Sequence, residues 1–183
     1  MEIWTIGHFR HAIETFAELL TQRQIKILVD IRRFPGSRTF PQFNRETLGP
    51  SLDSHDIEYL WLKSLGGRRS EATIEKESPN EGWRNKSFRN YADHMQTDEF
   101  QSGVQELVDA AKKGATAIMC SEAVYWRCHR RLISDYVIAC GGVVHHIFPD
   151  GRTKPHVITD FAEVDPTLSP PRLTYPPSPT LFD

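Results

Sequence analysis

The sequence predicts an α/β fold, in which a mainly parallel sheet with helices on both faces forms a single compact domain. Two strand–helix–strand patterns support a parallel sheet, because a crossover helix is the usual connection between parallel strands. Nearly continuous apolar runs indicate strands that are buried on both faces. The length of 183 residues, with 39% hydrophobic side chains, is sufficient for one core but not for two full-sized domains.

The first strand–helix–strand pattern lies in the amino-terminal part of the chain. Residues 2–6 alternate apolar and polar side chains, which is typical of a short strand. Apolar residues recur at three- and four-residue spacing in residues 11–23, so this segment is predicted to be an amphipathic helix. Residues 25–31 are an apolar run broken by Asp30, and we expect a buried parallel strand there.

The middle of the chain has weaker patterns. Residues 32–44 are rich in proline, glycine, serine and asparagine, which predicts a long structured loop. A helix is expected at residues 45–55 and a third strand at residues 58–62. Residues 68–86 are polar and contain turn-forming residues, so we interpret them as a surface insertion or lid.

The second strand–helix–strand pattern follows two predicted helices at residues 87–95 and 98–113. Residues 115–120 form an apolar run that indicates a buried strand. Residues 127–140 have helical spacing, and residues 143–148 again resemble a strand. In such folds ligands bind at the carboxyl ends of the parallel strands, where a site is therefore expected.

The domain is predicted to span residues 1–164, followed by a flexible tail at residues 165–183. Six prolines in the tail oppose regular helix or strand formation. The final residues, which include Leu181 and Phe182, are similar to the short leucine–phenylalanine peptides with which bacterial replication and repair proteins bind the sliding clamp. The alternative is that Leu181 and Phe182 pack onto their own domain.

Charge and cysteine content narrow the class of protein. The net charge of −2 argues against a protein that holds nucleic acid by overall positive charge. Arginines still cluster at residues 32–33, 68–69 and 127–131, where an anionic substrate could bind.

No apolar run approaches the roughly 20 residues of a membrane span. Three cysteines, an odd number, argue against a disulfide framework. We therefore expect a cytoplasmic protein that does not bind membranes.

The strongest candidate site surrounds the loop between the strand at residues 115–120 and the following helix. Cys120 and Glu122 lie at the strand end, and Cys128, His129 and Arg130 lie in the first helical turn. Amides at a helix start favour an anion, and a nearby arginine increases the acidity of a thiol. Either cysteine could be a nucleophile, or Cys120 could simply be a buried core residue. Glu122 is predicted to be a general acid or base, or else an ion-pair partner of an arginine.

Other polar residues are expected to join this site from neighbouring strand ends and loops. His8 and Asp30 follow the first two predicted strands and are assigned to the catalytic group. Cofactors are not expected, and a metal site is not predicted because the cysteine and histidine spacing is poor. His145 and His146 alternate faces on one strand, which indicates one core and one surface residue. The residues assigned to binding of an anionic substrate are Arg32, Ser37, Arg38, Asn44, Tyr91, Arg127 and Arg130.

A set of short motifs spread over residues 3–160 resembles the bacterial DUF488 family. The resemblance implies an α/β domain whose biochemical role is unassigned. It also implies a shared set of polar residues, namely His8, Asp30, Arg32, Cys120, Glu122, Cys128, His129 and Arg130. The motifs that carry it are Thr5-Ile6-Gly7-His8, Leu28-Val29-Asp30-Ile31-Arg32 with Pro35 and Ser37-Arg38, Phe43-Asn44, Leu65-Gly66-Gly67, Tyr91-Ala92, and Met119-Cys120-Ser121-Glu122 with Cys128-His129-Arg130.

These observations leave three functions open. The first is an enzyme, hydrolase or glycosylase-like, that acts on a nucleotide or nucleic-acid base, as in base-excision DNA repair, with Glu122 as acid or base. The second is a cysteine-dependent enzyme, rhodanese- or phosphatase-like, that acts on a small anionic or phosphorylated substrate. The third is a non-catalytic module that binds nucleic acid or the sliding clamp.

Overall fold

The computed structural model describes residues 1–70 and 78–177, and it confirms the mainly parallel α/β domain. The strands of the main sheet are β1 (Glu2–Gly7), β2 (Ile27–Asp30), β3 (Glu58–Trp61), β4 (Thr116–Cys120), β5 (Val143–Ile147) and β6 (Thr153–Pro155). Their order is β3-β2-β4-β1-β5-β6, and β6 is antiparallel to its neighbour whereas the other pairs are parallel. The carboxyl ends of β2, β4 and β1 therefore lie side by side.

Helices cover both faces of this sheet. The helices are α1 (Ile13–Thr21), α2 (Arg45–Asp53), α3 (Lys86–His94), α4 (Asp98–Lys113) and α5 (Arg130–Ala139). Side chains of α1 and α2 pack in one core cluster with Leu28 and Met119, whereas side chains of α3, α4 and α5 pack in another with Val29 and Ile118. Successive strand residues thus enter opposite cores, as expected for a strand buried on both faces.

Local sequence signals explain several helix boundaries. Thr97 precedes α4, and its hydroxyl accepts a hydrogen bond from the backbone of Phe100 at 3.3 Å, as in an N-cap. Asn85 caps α3 in the same way through its side-chain oxygen. Helix α5 begins at Arg130, later than the predicted residue 127, because residues Tyr125–Arg127 form a separate 3₁₀ turn.

The carboxyl-terminal segment differs from the predicted flexible tail over residues 165–177. Strands β7 (Glu163–Asp165) and β8 (Arg172–Thr174) form a small antiparallel sheet. Leu173 and Tyr175 are buried in the core, and the backbone N–H of Tyr175 donates to the side chain of Asn80 at 3.0 Å. Burial of these two apolar side chains holds the segment against the domain despite its prolines.

Two sequence predictions fall partly or wholly outside the described residues. The proposed clamp-binding residues Leu181 and Phe182 lie beyond residue 177, and residues 71–77 of the predicted insertion are also outside. Within the rest of that insertion, Trp83 is buried and packs against Phe88. Among the helices in the described part of the chain, none has the length and apolar character needed to cross a membrane.

Candidate active site

A cleft of about 530 Å³ opens where the carboxyl ends of β1, β2 and β4 meet. The register aligns Gly7 of β1 with Cys120 of β4, and Asp30 of β2 with Met119 of β4, so residues that follow these strands come together. The predicted site residues that line the cleft are His8, Arg32, Ser37, Tyr91, Cys120, Glu122, Arg127, Cys128 and His129. The remaining predicted residues, Asp30, Arg38, Asn44 and Arg130, do not line it.

Two free thiols are in contact at the base of the cleft. The sulfurs of Cys120 and Cys128 lie 2.7 Å apart, and both side chains are almost fully buried. The backbone N–H of Glu122 donates to Cys120 at 3.3 Å, and that of Arg130 donates to Cys128 at 3.4 Å. The second of these amides belongs to the first residue of α5, so the positive end of the helix faces the sulfur of Cys128.

The two thiols differ in acidity. Burial raises the pKa of Cys128, but the hydrogen bond from Cys120 and the charge of Arg130 outweigh burial and lower the pKa to about 7. Burial and the hydrogen bond to Cys128 raise the pKa of Cys120 well above its ordinary value. Within this coupled pair Cys128 is therefore the more acidic thiol, and Cys120 is the hydrogen-bond donor to it.

Arg130 lies beneath the cleft floor and is only 1% exposed. Its guanidinium donates to the backbone oxygen of Glu122 at 2.6 Å and to the hydroxyl of Thr5 at 3.5 Å, and its Nε has no partner. Within the described residues it forms no ion pair with a carboxylate. A buried cation without a counterion is strongly unfavourable. The thiolate of Cys128 is the anion that the site offers it.

His129 is placed to exchange a proton with Cys128. Its Nε2 lies 2.9 Å from the carbonyl oxygen of Ile31. Because a carbonyl only accepts, Nε2 carries the hydrogen and Nδ1 is left as an acceptor, 3.5 Å from the sulfur of Cys128. Burial lowers the pKa of His129, so the ring is neutral near pH 7. Gly67 packs so closely that an added Cβ would lie 2.7 Å from this ring.

Arg32 enters the cleft from the end of β2 and is held by Asp30. Its guanidinium donates to both carboxylate oxygens of Asp30, and also to the carbonyl of Phe43 at 2.7 Å. The hydroxyl of Tyr59 donates to the same carboxylate at 2.7 Å. Asp30 is fully buried behind Arg32. The structure therefore places Asp30 as an anchor for Arg32, away from the cleft, and not within reach of a substrate.

His8 is a neutral residue of the cleft wall. Its Nδ1 lies 3.1 Å from the carbonyl oxygen of Phe9, so Nδ1 carries the hydrogen and Nε2 faces the guanidinium of Arg32 at 3.4 Å. Burial and the charge of Arg32 lower the pKa of His8 to about 4. The ring also stacks on Phe43, with centroids 4.3 Å apart. An uncharged His8 therefore accepts at Nε2 the hydrogen bond that Arg32 donates.

The carboxylate of Glu122 lines the cleft and is exposed. Within the described residues it forms no ion pair, so the predicted alternative of an ion-pair partner is not seen. Both polar groups of the Glu122 backbone, by contrast, form hydrogen bonds. Its N–H donates to Cys120 and its carbonyl oxygen accepts from Arg130. The residue thus fixes both the thiol pair and the guanidinium through its main chain.

Several predicted anion-binding residues have structural partners instead. Asn44 accepts the backbone N–H of Ser37 at 2.6 Å and so shapes the loop that follows β2. Arg38 is exposed on that loop, outside the cleft. Tyr91 contributes its ring to the cleft, but its hydroxyl donates to the carbonyl oxygen of Leu65 at 2.7 Å. Of the predicted anion-binding arginines, Arg32 and Arg127 therefore reach the cleft directly.

The cleft walls carry further arginines and aromatic rings that were not assigned to the site from the sequence. Three arginines, at positions 10, 33 and 68, line the cleft together with the predicted arginines, and Glu122 is the only acidic residue among the described residues that line it. The aromatic side chains are Phe9, Phe34, Phe40 and Phe88. Adjacent arginine pairs in the sequence were the available signal for Arg33 and Arg68. Within the described residues, no group of three or more histidine, cysteine or acidic side chains could hold a metal ion.

Comparison with known proteins identifies a family. A family model described as a domain of unknown function, DUF488, matches residues 12–137. No curated protein and no solved structure matches the chain. The matched segment includes β2, β4, both thiols of the cleft, His129 and Arg130. The chain belongs to the DUF488 family.

Proposed function

We propose that the protein is a cysteine-dependent enzyme that acts on a small anionic substrate of the nucleotide class. Cys128 is the nucleophile and His129 is the group that accepts and returns its proton. The observation that carries this proposal is the buried guanidinium of Arg130, which has a thiol pair beside it and no carboxylate in ion-pair contact within the described residues. Such an arrangement favours a thiolate, which is the reactive form of cysteine.

The chemistry would proceed in two displacements. The sulfur of Cys128 donates an electron pair to an electrophilic phosphorus or carbon, and the bond from that atom to the leaving group breaks. When the thiol starts protonated, Nδ1 of His129 takes its proton and then gives it to the leaving group. Water next attacks the covalent intermediate, which releases product and restores the thiolate. In this second step His129 takes one proton from the water and passes it to the sulfur, or to solvent when the cycle began from the thiolate, so the enzyme returns to its starting state.

The composition of the cleft supports a nucleotide-class substrate. Arginines at positions 32, 33, 68 and 127 can bind phosphate oxygens, and the phenylalanine rings of the walls can stack on a base. The volume of about 530 Å³ lies within the range of small-molecule sites. His8 accepts a hydrogen bond from Arg32 and so helps to orient its guanidinium at the cleft. The free thiols also lead us to propose a cytoplasmic location, where cysteines stay reduced.

A second candidate is base excision, with Glu122 as the acid or base. The exposed carboxylate of Glu122 in an aromatic-walled cleft favours it, because a flipped base would need both features. In this case the cysteines would shape the pocket without reacting. A nucleic-acid substrate is also compatible with the third function, a module that only binds.

Turnover assays on a panel of nucleotides and of damaged single- and double-stranded DNA oligonucleotides separate these functions. We expect Cys128→Ala to lower turnover by at least about a thousandfold, because it removes the nucleophile. Glu122→Gln should retain most activity, and Cys140→Ser is the matched control because Cys140 lies outside the cleft. Loss of activity in Glu122→Gln together with its retention in Cys128→Ala would refute the thiol mechanism and support base excision. Binding without turnover on any substrate would favour the third function.

We also propose that residues 178–183 bind the sliding clamp through Leu181 and Phe182. A chain that ends at residue 177 contains all of the described residues, including the buried Tyr175, and is expected to fold. It is expected to lose affinity for purified clamp in a surface-binding assay while its thermal unfolding stays unchanged. Equal affinity of the full and shortened chains would remove this proposal.

A further inference from the structure

Behind Arg130, buried polar side chains form a chain of hydrogen bonds across the domain. The hydroxyl of Thr5 lies 2.8 Å from Nδ1 of His146. Nε2 of His146 lies 2.9 Å from Nδ1 of His156, and Nε2 of His156 lies 2.7 Å from Oδ1 of Asp135. At the other end the guanidinium of Arg130 lies 3.5 Å from the hydroxyl of Thr5. We call Thr5, His146, His156 and Asp135 the relay.

With His146 and His156 as neutral rings, the hydrogen bonds of the relay run in one direction. The carboxylate of Asp135 accepts, so Nε2 of His156 carries a hydrogen and Nδ1 of that ring accepts from His146. Nδ1 of His146 is then an acceptor, and Thr5 must donate to it. The oxygen of Thr5 is left to accept from Arg130, which has only donors. Burial lowers the pKa of His146 to about 2, so this ring stays neutral.

The relay residues are deeply buried, and they form more hydrogen bonds than close packing of a core needs. Thr5 and Asp135 are 0% exposed and His146 is 1% exposed. Asp135 also accepts hydrogen bonds from the backbone and hydroxyl of Thr159 and from the hydroxyl of Tyr175. Apolar side chains of similar volume in such a place are often at least as stabilising. The directional order from Asp135 to Arg130 therefore suggests a task at the cysteine site.

We infer that the relay residues are positioning residues, which hold the guanidinium of Arg130 beside the sulfur of Cys128. The inference rests on the proposed function in one respect, namely that the thiolate of Cys128 is used in the reaction. No relay residue makes a hydrogen bond to Cys128, so the effect must pass through Arg130. The titratable and charged groups that face Cys128 are Cys120 from β4, His129 and Arg130 from the start of α5, and Tyr91 from α3.

Thr5→Val tests the relay because valine keeps the shape of the side chain and removes its hydroxyl. The readout is the rate at which iodoacetamide alkylates Cys128 as a function of pH, followed by mass spectrometry in a Cys140→Ser background. Without the hydroxyl, the guanidinium of Arg130 loses one hydrogen-bond acceptor. It is then no longer held beside the sulfur of Cys128. We expect the alkylation midpoint to rise by about 1 pH unit, and alkylation below the midpoint to slow about tenfold.

Two matched variants separate positioning from general destabilisation. Thr5→Ser retains the hydroxyl and should keep the wild-type midpoint. Thr116→Val removes a buried hydroxyl from the neighbouring strand β4, where Thr116 donates only to the carbonyl oxygen of Gly114. This variant should also keep the wild-type midpoint. An unchanged midpoint in Thr5→Val, or an equal rise in Thr116→Val, would overturn the inference. Alkylation needs no natural substrate, so the result is independent of the turnover assays.

A spectroscopic measurement on the wild-type chain keeps the inference testable if Thr5→Val does not fold. The relay requires His146 to be neutral with its hydrogen on Nε2, which ¹⁵N chemical shifts of the ring report directly. We expect this tautomer throughout pH 6–8, given the pKa of about 2. A hydrogen on Nδ1 of His146 would reverse the direction of the chain and exclude the inference.

Discussion

At the scale of single residues, the acidity of Cys128 results from three effects of two neighbours, Cys120 and Arg130. Cys120 supplies a hydrogen bond, Arg130 supplies a charge, and the first amide of α5 points at the sulfur. Each of these effects favours the charged form of the thiol and opposes burial, which favours the neutral form. The outcome is a lower pKa for one of two cysteines that are both buried.

His129 completes the pair with a role that depends on its tautomer. The carbonyl of Ile31 at the end of β2 fixes the hydrogen on Nε2 and turns Nδ1 towards Cys128. This is the arrangement of a nucleophile and a base, in which a third group orients the base. A neutral histidine can accept a proton from the thiol, whereas a protonated one could only stabilise the thiolate.

At the scale of the elements, the site depends on the close approach of β1 to the loop that follows β4. An added Cβ at Gly7 would collide with the backbone oxygen of Glu122, the same oxygen that accepts from Arg130. This strand end therefore has room only for a glycine. A larger residue would displace the loop and with it the main-chain contacts that hold the thiol and the guanidinium.

Gly7→Ala is accordingly expected to lower the free energy of unfolding by about 2 kcal/mol or more, because neither the strand nor the loop can move freely. Urea denaturation measures this change. Gly36→Ala is the matched control in the same cleft, since nothing lies within 4 Å of an added Cβ there. Equal stability of the two variants would show that the loop adapts and that the close approach is not required.

At the scale of the whole molecule, periodicity predicted the sheet and its helices well. The apolar spacing of residues 11–23 and 98–113 predicted the ends of α1 and α4 to within a few residues. The predicted strand ends then indicated where the polar loops meet. Cys120, Glu122, Cys128 and His129 were expected together for this reason, and they line the same cleft. Such agreement is expected, because local pattern and global fold must be consistent in a stable chain.

What the sequence did not predict depends on contacts between distant segments. The relay joins Thr5 to His146, which are 141 residues apart, and no local motif marks this pair. The choice between Cys120 and Cys128 depends on the orientation of Arg130, which spacing does not specify. The packing of residues 165–177 was likewise not predicted. A proline-rich composition does not indicate that the hydroxyl of Tyr175 donates to the buried carboxylate of Asp135.

The pH dependence of alkylation of Cys128 in the wild-type chain tests the central claim most directly. Iodoacetamide is added at a series of pH values, and mass spectrometry gives the rate at each cysteine. A thiolate held by Arg130 and Cys120 predicts a midpoint near pH 7 for Cys128. Cys140 serves as an internal reference, because burial raises its pKa above the ordinary value. A midpoint for Cys128 that coincides with that of Cys140, or earlier alkylation of Cys120, would contradict the assignment of Cys128 as the nucleophile.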